Sequence, residues 1–136
     1  MAYWLLKSEP SVFSIDDLEQ RGISLWDGVR NYQARNFLRA MQVGDQAFFY
    51  HSSCPEPGIA GILTVARPAY PDPTQFNPDS PYHDPKSPPD APRWDGIDVR
   101  FAAKFADVVP LAVLKETPAL AGLALVQKGS RLSVMP

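Results

Sequence analysis

Between Leu25 and Met41 the chain reads LWDGVRNYQARNFLRAM. A large aromatic (Trp26), a carboxylate (Asp27), a glycine (Gly28) and a guanidinium (Arg30) precede Asn31, Tyr32 and Gln33. The second half has helical spacing, because Ala34, Phe37, Leu38 and Met41 recur on what would be one buried face. Asn31 is a good N-cap, since its side-chain oxygen can accept from a free amide of the first turn. Trp26, Arg30, Asn31, Tyr32 and Gln33 are thereby gathered about a helix N-terminus. There, unpaired amides and the positive end of the helix dipole face a ligand. The chemistry this points to is binding.

Catalytic groupings are weaker. His51, Ser52, Ser53 and Cys54 bring a base beside three nucleophile types, but neighbours in a strand-to-loop run point alternate side chains apart. His51, Cys54 and His83 are too few and too irregularly spaced for zinc. Lys7 and Glu9 could exchange protons, yet no nucleophile, base and orienting third group line up. The expectation is a protein that is not an enzyme and carries no metal or other cofactor.

The elements that must position these residues follow from pattern. Ala2–Lys7 is aromatic and apolar, a strand stopped by Pro10. Ser14 to Asp17 has capping-box spacing for a short helix that Gly22 ends, and Ile23–Leu25 leads into the central stretch. Gln46–His51 is a strand whose aromatics Phe48, Phe49 and Tyr50 imply cover on both faces. Gly58–Arg67 reads as a strand buried on both sides, and residues 97–104 as a half-exposed one. Of the 15 prolines, 11 lie between Pro55 and Pro92. The stretch from Pro68 to Pro92 also carries Tyr70, Phe76 and Tyr82, too many aromatics for disorder. It reads as an ordered loop folded over the body, with Asp72 and Asp84 capping turns. Pro110–Lys115 and Pro118–Ala121 read as short helices. Ala124–Lys128 and Leu132–Met135 flank a Gly129–Ser130 turn. Strands dominate, with helices only between them: an α+β chain forming a small, partly closed β-barrel.

A length of 136 residues fits one domain spanning 1–136. Net charge is −2, which excludes a bulk polycation, so any nucleic-acid contact must rest on a local patch. One cysteine, Cys54, excludes an internal disulfide. The residues before Lys7 and Glu9 build neither a signal peptide nor a membrane span. A cytoplasmic monomer without membrane contact is expected.

Several blocks together resemble the EVE domain family. They are Lys7 to Pro10, the 13 residues from Leu25 to Phe37, Phe49 to Ser52, Tyr70 to Pro73, and Arg131 to Pro136. The resemblance runs essentially end to end, and its longest block is far beyond a chance short motif. It implies a PUA-like barrel related to the YTH readers of RNA modification. It also implies a pocket for a modified base in DNA or RNA, with 5-methylcytosine the leading candidate. A reader holds such a base by stacking and by hydrogen bonds to its edge. On this reading Trp26, Tyr32 and Tyr50 are the aromatic walls, and Ser8, Asn31, Gln33, His51 and Ser133 the polar pocket residues. Lys7, Arg30, Arg35, Arg39 and Arg131 would hold flanking phosphates.

Plainer roles compete. Trp26 could be core, as large aromatics mostly are; as a cage wall it would tolerate Trp26→Ala without loss of fold. Asn31 could only cap, Arg30 could pair with Asp27, and Arg35 and Arg39 could form a solvated face. An amidohydrolase on modified nucleosides, as in the related ASCH domains, and a protein-interaction module are the rival functions.

Overall fold

Helices sit between the strands of one mixed sheet in the computed structural model, which describes residues 3–110 and 134–135. The elements are β1 (Tyr3–Ser8), α1 (Ile15–Arg21), β2 (Ile23–Trp26), α2 (Tyr32–Ala40), β3 (Gln46–His51), β4 (Gly58–Pro71), a 3-10 turn (Pro73–Phe76), β5 (Asp95–Pro110) and β6 (Val134–Met135). The sheet order is β2-β5-β4-β3-β1-β6. This is the expected α+β, PUA-like arrangement, and β2 and β6 are edges that do not pair with each other, so closure is partial.

Strand β1 runs parallel to β3, from Tyr3 opposite Gln46 to Ser8 opposite His51. A parallel pair needs a long crossover, and the whole of α1, β2 and α2 supplies it. Trp4, Leu5 and Leu6 are buried in succession, as a strand covered on both faces requires. Strands β4 and β5 pair antiparallel with four register shifts, each of which bends and twists the ribbon. Both run further than the hydropathy pattern alone implies: β4 reaches Pro71, and β5 starts at Asp95 and takes in Pro110. The remaining elements expected between 111 and 133 lie outside the described residues.

Each helix begins as its sequence dictates. Ser14 Oγ accepts from Asp17 N at 3.1 Å while Asp17 Oδ2 accepts from Ser14 N at 2.9 Å, a complete capping box. Asn31 caps α2 by accepting from Ala34 N at 2.9 Å. Ala34, Leu38 and Met41 are buried as one face. Helix α1 seats closely on the sheet because position 61 has no side chain: a Cβ there would lie 2.3 Å from Ala103 O and 2.9 Å from Ile15 Cδ1.

The core beneath is aromatic. Trp26 meets Phe49 edge-on at 5.3 Å and Phe13 at 6.1 Å, and Trp4 tilts against Phe37 at 6.0 Å. Strand β3 departs from expectation at Phe48, which is 44% exposed: no described element covers its side of the strand. Among the described residues no helix is long and apolar enough to cross a membrane.

The proline-rich segment is ordered, and polar anchors fix it. Asp72, fully buried, accepts from Gly28 N (2.9 Å), Arg30 Nη1 (3.1 Å), Thr74 N (2.8 Å) and Thr74 Oγ1 (2.6 Å). Gln75, equally buried, donates to Asp72 O and Trp94 O and accepts from Ser87 Oγ and Trp94 N. Asp84 accepts from Trp94 Nε1 at 2.8 Å and from Lys86 N at 3.0 Å. Every polar atom of these two buried side chains is satisfied, which is the condition for burying them.

Burial alone would push the Asp72 carboxyl up, but the bonds from Thr74, Gly28 and Arg30 outweigh it and hold the pKa below the ordinary 3.8. Lowered in the fold, this group stabilises above its unfolded pKa and loses that contribution as pH falls through the folded one. Asp72→Ala, which strands the Gly28 amide and the Arg30 guanidinium, is expected to cost about 2–4 kcal/mol at pH 7. Urea denaturation checks this, and the gap to the parent should narrow as the pH is taken below 3.8.

Candidate functional site

A cleft of about 530 Å³ opens between the end of β1, the end of α1, and β2 with the segment following it. The end of β1 contributes Lys7 and Ser8, and the segment after it Glu9, Val12 and Phe13; α1 contributes Arg21; and β2 with its extension contributes Ser24, Leu25, Trp26, Asp27, Gly28 and Val29. Tyr82 of the proline-rich loop forms the remaining wall.

Gly28 explains how the loop comes so near. Its φ of +78° favours glycine, and a Cβ there would lie 2.7 Å from Tyr82 Cζ. The backbone is pinned as well, since Gly28 N donates to buried Asp72. Tyr82 is secured through its own carbonyl, which accepts from Arg30 Nε (3.1 Å) and Nη2 (2.8 Å).

Some of the cleft's polar groups are already occupied. Ser8 Oγ donates to Phe13 O at 2.7 Å, and Ser24 Oγ accepts from Arg21 Nη1 at 3.2 Å while donating to Leu25 O. Asp27 differs: loss of hydration, followed by the nearby Asp72 charge, raises its pKa against the smaller pull of its own backbone N–H and then of Arg30 and Arg21. Burial lowers the Lys7 pKa, and its ammonium rests 5.8 Å from the Tyr50 ring centre. Burial, then the charges of Asp27 and Glu9, raises that of Tyr82. The cleft thus holds carboxylates and two cations, Lys7 and Arg21, against an apolar wall of Phe13, Leu25 and Trp26.

Of the residues expected from sequence, Ser8, Trp26 and Lys7 line this cleft; Asn31, Tyr32, Gln33, Tyr50 and His51 do not. Trp26 is only 6% exposed and packed on two phenylalanines, so it is core as well as lining. The expectation that Trp26→Ala spares the fold is therefore corrected. Tyr32 stacks on Trp94 at 4.8 Å with the Arg35 guanidinium 4.7 Å from its ring centre. Tyr32 is thus engaged by Trp94 and Arg35 and does not line the cleft. Gln33 is exposed on α2, and Asn31 spends its oxygen on the cap. Tyr50 is buried within β3. His51 Nε2 accepts from Ile15 N at 3.1 Å, the first amide of α1, and burial lowers its pKa. That lone pair holds α1 to β3 and is not free to activate Ser52, Ser53 or Cys54.

Arg30 is corrected too. Arg30 makes five bonds with its five N–H donors, to Tyr82 O twice and to Val29 O, Asp72 Oδ2 and Thr74 Oγ1. It has none left for a phosphate, and its carboxylate partner is Asp72 rather than Asp27. Arg39 Nε pairs with Asp95 at 2.6 Å. Arg35 donates to Arg93 O and to its neighbour Asn36, away from the cleft. Arg131 and Ser133 lie outside the described residues. Reading by sequence missed Phe13, Arg21, Asp27 and Tyr82 as lining residues. Asp27 was the findable one, since it adjoins Trp26 within the longest motif. Among the described residues no three of His, Cys, Asp and Glu gather as metal ligands would.

The EVE domain family model matches residues 2–136. Thymocyte nuclear protein 1 of Homo sapiens is 50% identical over 125 residues, covering 84% of this chain and 56% of that protein. The chain thus spans about half the length of the curated relatives it matches. Among solved structures, protein PSPTO5229 from Pseudomonas syringae superposes with a TM-score of 0.98 at 60% identity, covering 99% of this chain and 91% of that one. Human THYN1 protein in complex with 5-methylcytosine containing DNA superposes with a TM-score of 0.94 at 45% identity, covering 100% and 90% respectively.

Two substitutions separate lining from support. Trp26→Ala is expected to lose about 3–5 kcal/mol, the cost of emptying a large buried aromatic site. Gly28→Ala should lose about 1–3 kcal/mol through a strained φ and displacement of Tyr82. Thermal melts followed by circular dichroism check both.

Proposed function

The chain belongs to the EVE domain family, and from that premise we propose that it binds DNA bearing a modified base of the 5-methylcytosine type in the cleft walled by Leu25–Val29. The observation that carries this reading is that the first half of the longest family motif becomes one continuous wall of the cleft. The relative solved with 5-methylcytosine containing DNA supports it, since it shares 45% identity and the whole fold. A volume of about 530 Å³ is in the range of small-ligand sites, roughly 300–1,000 Å³.

Energetics fit the same reading. A base leaving its stack costs roughly a few kcal/mol, and contact with an aromatic returns about 1–3 kcal/mol. Phe13, Trp26 and Tyr82 are the aromatics that line the cleft, and Leu25 adds the apolar surface a methyl group needs. Lys7 and Arg21 are the cations placed at the cleft for flanking phosphates. We read the protein as a non-catalytic binder acting as one domain over residues 1–136, because His51, the one base beside nucleophiles, is engaged by α1.

Titration of duplex DNA carrying 5-methylcytosine or cytosine at one position tests this, with the matching RNA duplexes as a further arm. Affinity for methylated DNA is expected to be about tenfold higher, as one methyl in an apolar niche allows. Equal affinity for all four would overturn the reading. With two cations at the cleft, the log–log salt slope should be near −2, each phosphate contributing about −0.9. Arg39→Ala should leave that slope unchanged, because its guanidinium already faces Asp95.

A further inference from the structure

We propose that Asp27 sets which base the cleft accepts, taking bases that present an exocyclic amino group, as cytosine does, and rejecting those that present a carbonyl there, as thymine does. This rests on the reading of the cleft as a base site. Ser8 and Ser24 are engaged with the protein's own backbone and with Arg21. The Asp27 carboxylate accepts from its own backbone N–H; among the described residues no hydrogen bond from another residue's side chain is made to it, and its neighbours Asp72, Arg30 and Arg21 act on it through charge. An ionised carboxylate only accepts. The cytosine edge offers an amino group to such an acceptor, whereas thymine would set O4 against it, acceptor facing acceptor.

Glu9 is the other carboxylate lining the cleft. The structure favours Asp27, because a group that selects by geometry must be held firmly. On one side Trp26 is buried and paired with Ile97 in the sheet. On the other, Gly28 is bonded to buried Asp72. The Asp27 and Glu9 side chains are both exposed, and that of Glu9 is the longer, with one more rotatable bond to fix.

Thymine carries the same 5-methyl group as 5-methylcytosine, so the pair isolates the edge. Each base is placed opposite an abasic site in the same duplex, which removes differences in unpairing, with a duplex bearing cytosine as reference. The parent is expected to favour 5-methylcytosine over thymine about tenfold. Asp27→Asn, whose amide can both donate and accept, should bring the two within about threefold, chiefly by gaining thymine, and Glu9→Gln should keep the parent's preference. A parent that binds 5-methylcytosine and thymine alike but prefers both to cytosine would overturn the inference and leave the base-binding reading standing. So would an Asp27→Asn variant that keeps the full preference, or Glu9→Gln losing it in place of Asp27→Asn. No preference for any of the three bases would overturn the base-binding reading and the inference with it. Because raised-pKa Asp27 opposes folding once ionised, Asp27→Asn should melt no lower than the parent at pH 7, so lost discrimination cannot be ascribed to unfolding.

Discussion

The Asp72 carboxylate, buried between the Gly28 amide, the Arg30 guanidinium and Thr74, is the interaction on which the rest depends. It joins the segment after β2 to a loop more than forty residues away in sequence. Two walls of the cleft come from these two places, and without the carboxylate neither would be fixed relative to the other. Its burial is tolerable because its acceptor capacity is filled, the usual requirement for charge away from water. Arg30 completes the arrangement by placing its charge under Tyr82 and beside Trp94, at 5.8 Å and 5.6 Å from their ring centres.

This division of labour separates two carboxylates that sequence alone could not tell apart. Asp72 is held ionised by donors and stabilises the fold; Asp27, nearby, has its pKa raised by burial and by that same Asp72 charge. One negative group is spent on structure, and its field makes the second dearer to ionise. Environment, not residue type, assigns the roles.

Local signals were readable where chemistry is local. Ser14 and Asn31 announced their helices because a cap involves residues three apart, and Ala34, Leu38 and Met41 declared a buried face by period. The α+β class and the ordered proline-rich loop followed from strand-rich patterning and from aromatics too numerous for disorder. The site was legible only in part. Trp26, Ser8 and Lys7 line the cleft, but Tyr32 and Arg30 do not serve it, because Trp94 and Asp72 engage them across long stretches of chain. Helical proximity to Trp26 suggested one cluster around the start of α2, whereas the chain turns at Gly28 and sends the two halves of the motif to different surroundings. Tyr82 carried no local sign, since its position is set by the absence of a side chain at residue 28.

The Gly28 amide has one further consequence, for the timing of events in the molecule. Its proton is sequestered by a carboxylate 44 residues distant, so it meets solvent only when the loop lets go. In hydrogen exchange that single proton is a clock for loop opening, separate from the strand amides that wait for wider unfolding. During folding the same bond closes a long stretch of chain and carries the entropy cost that such closure entails. Lifting of the loop and loss of the Tyr82 wall of the cleft are therefore one event, since both follow the same segment.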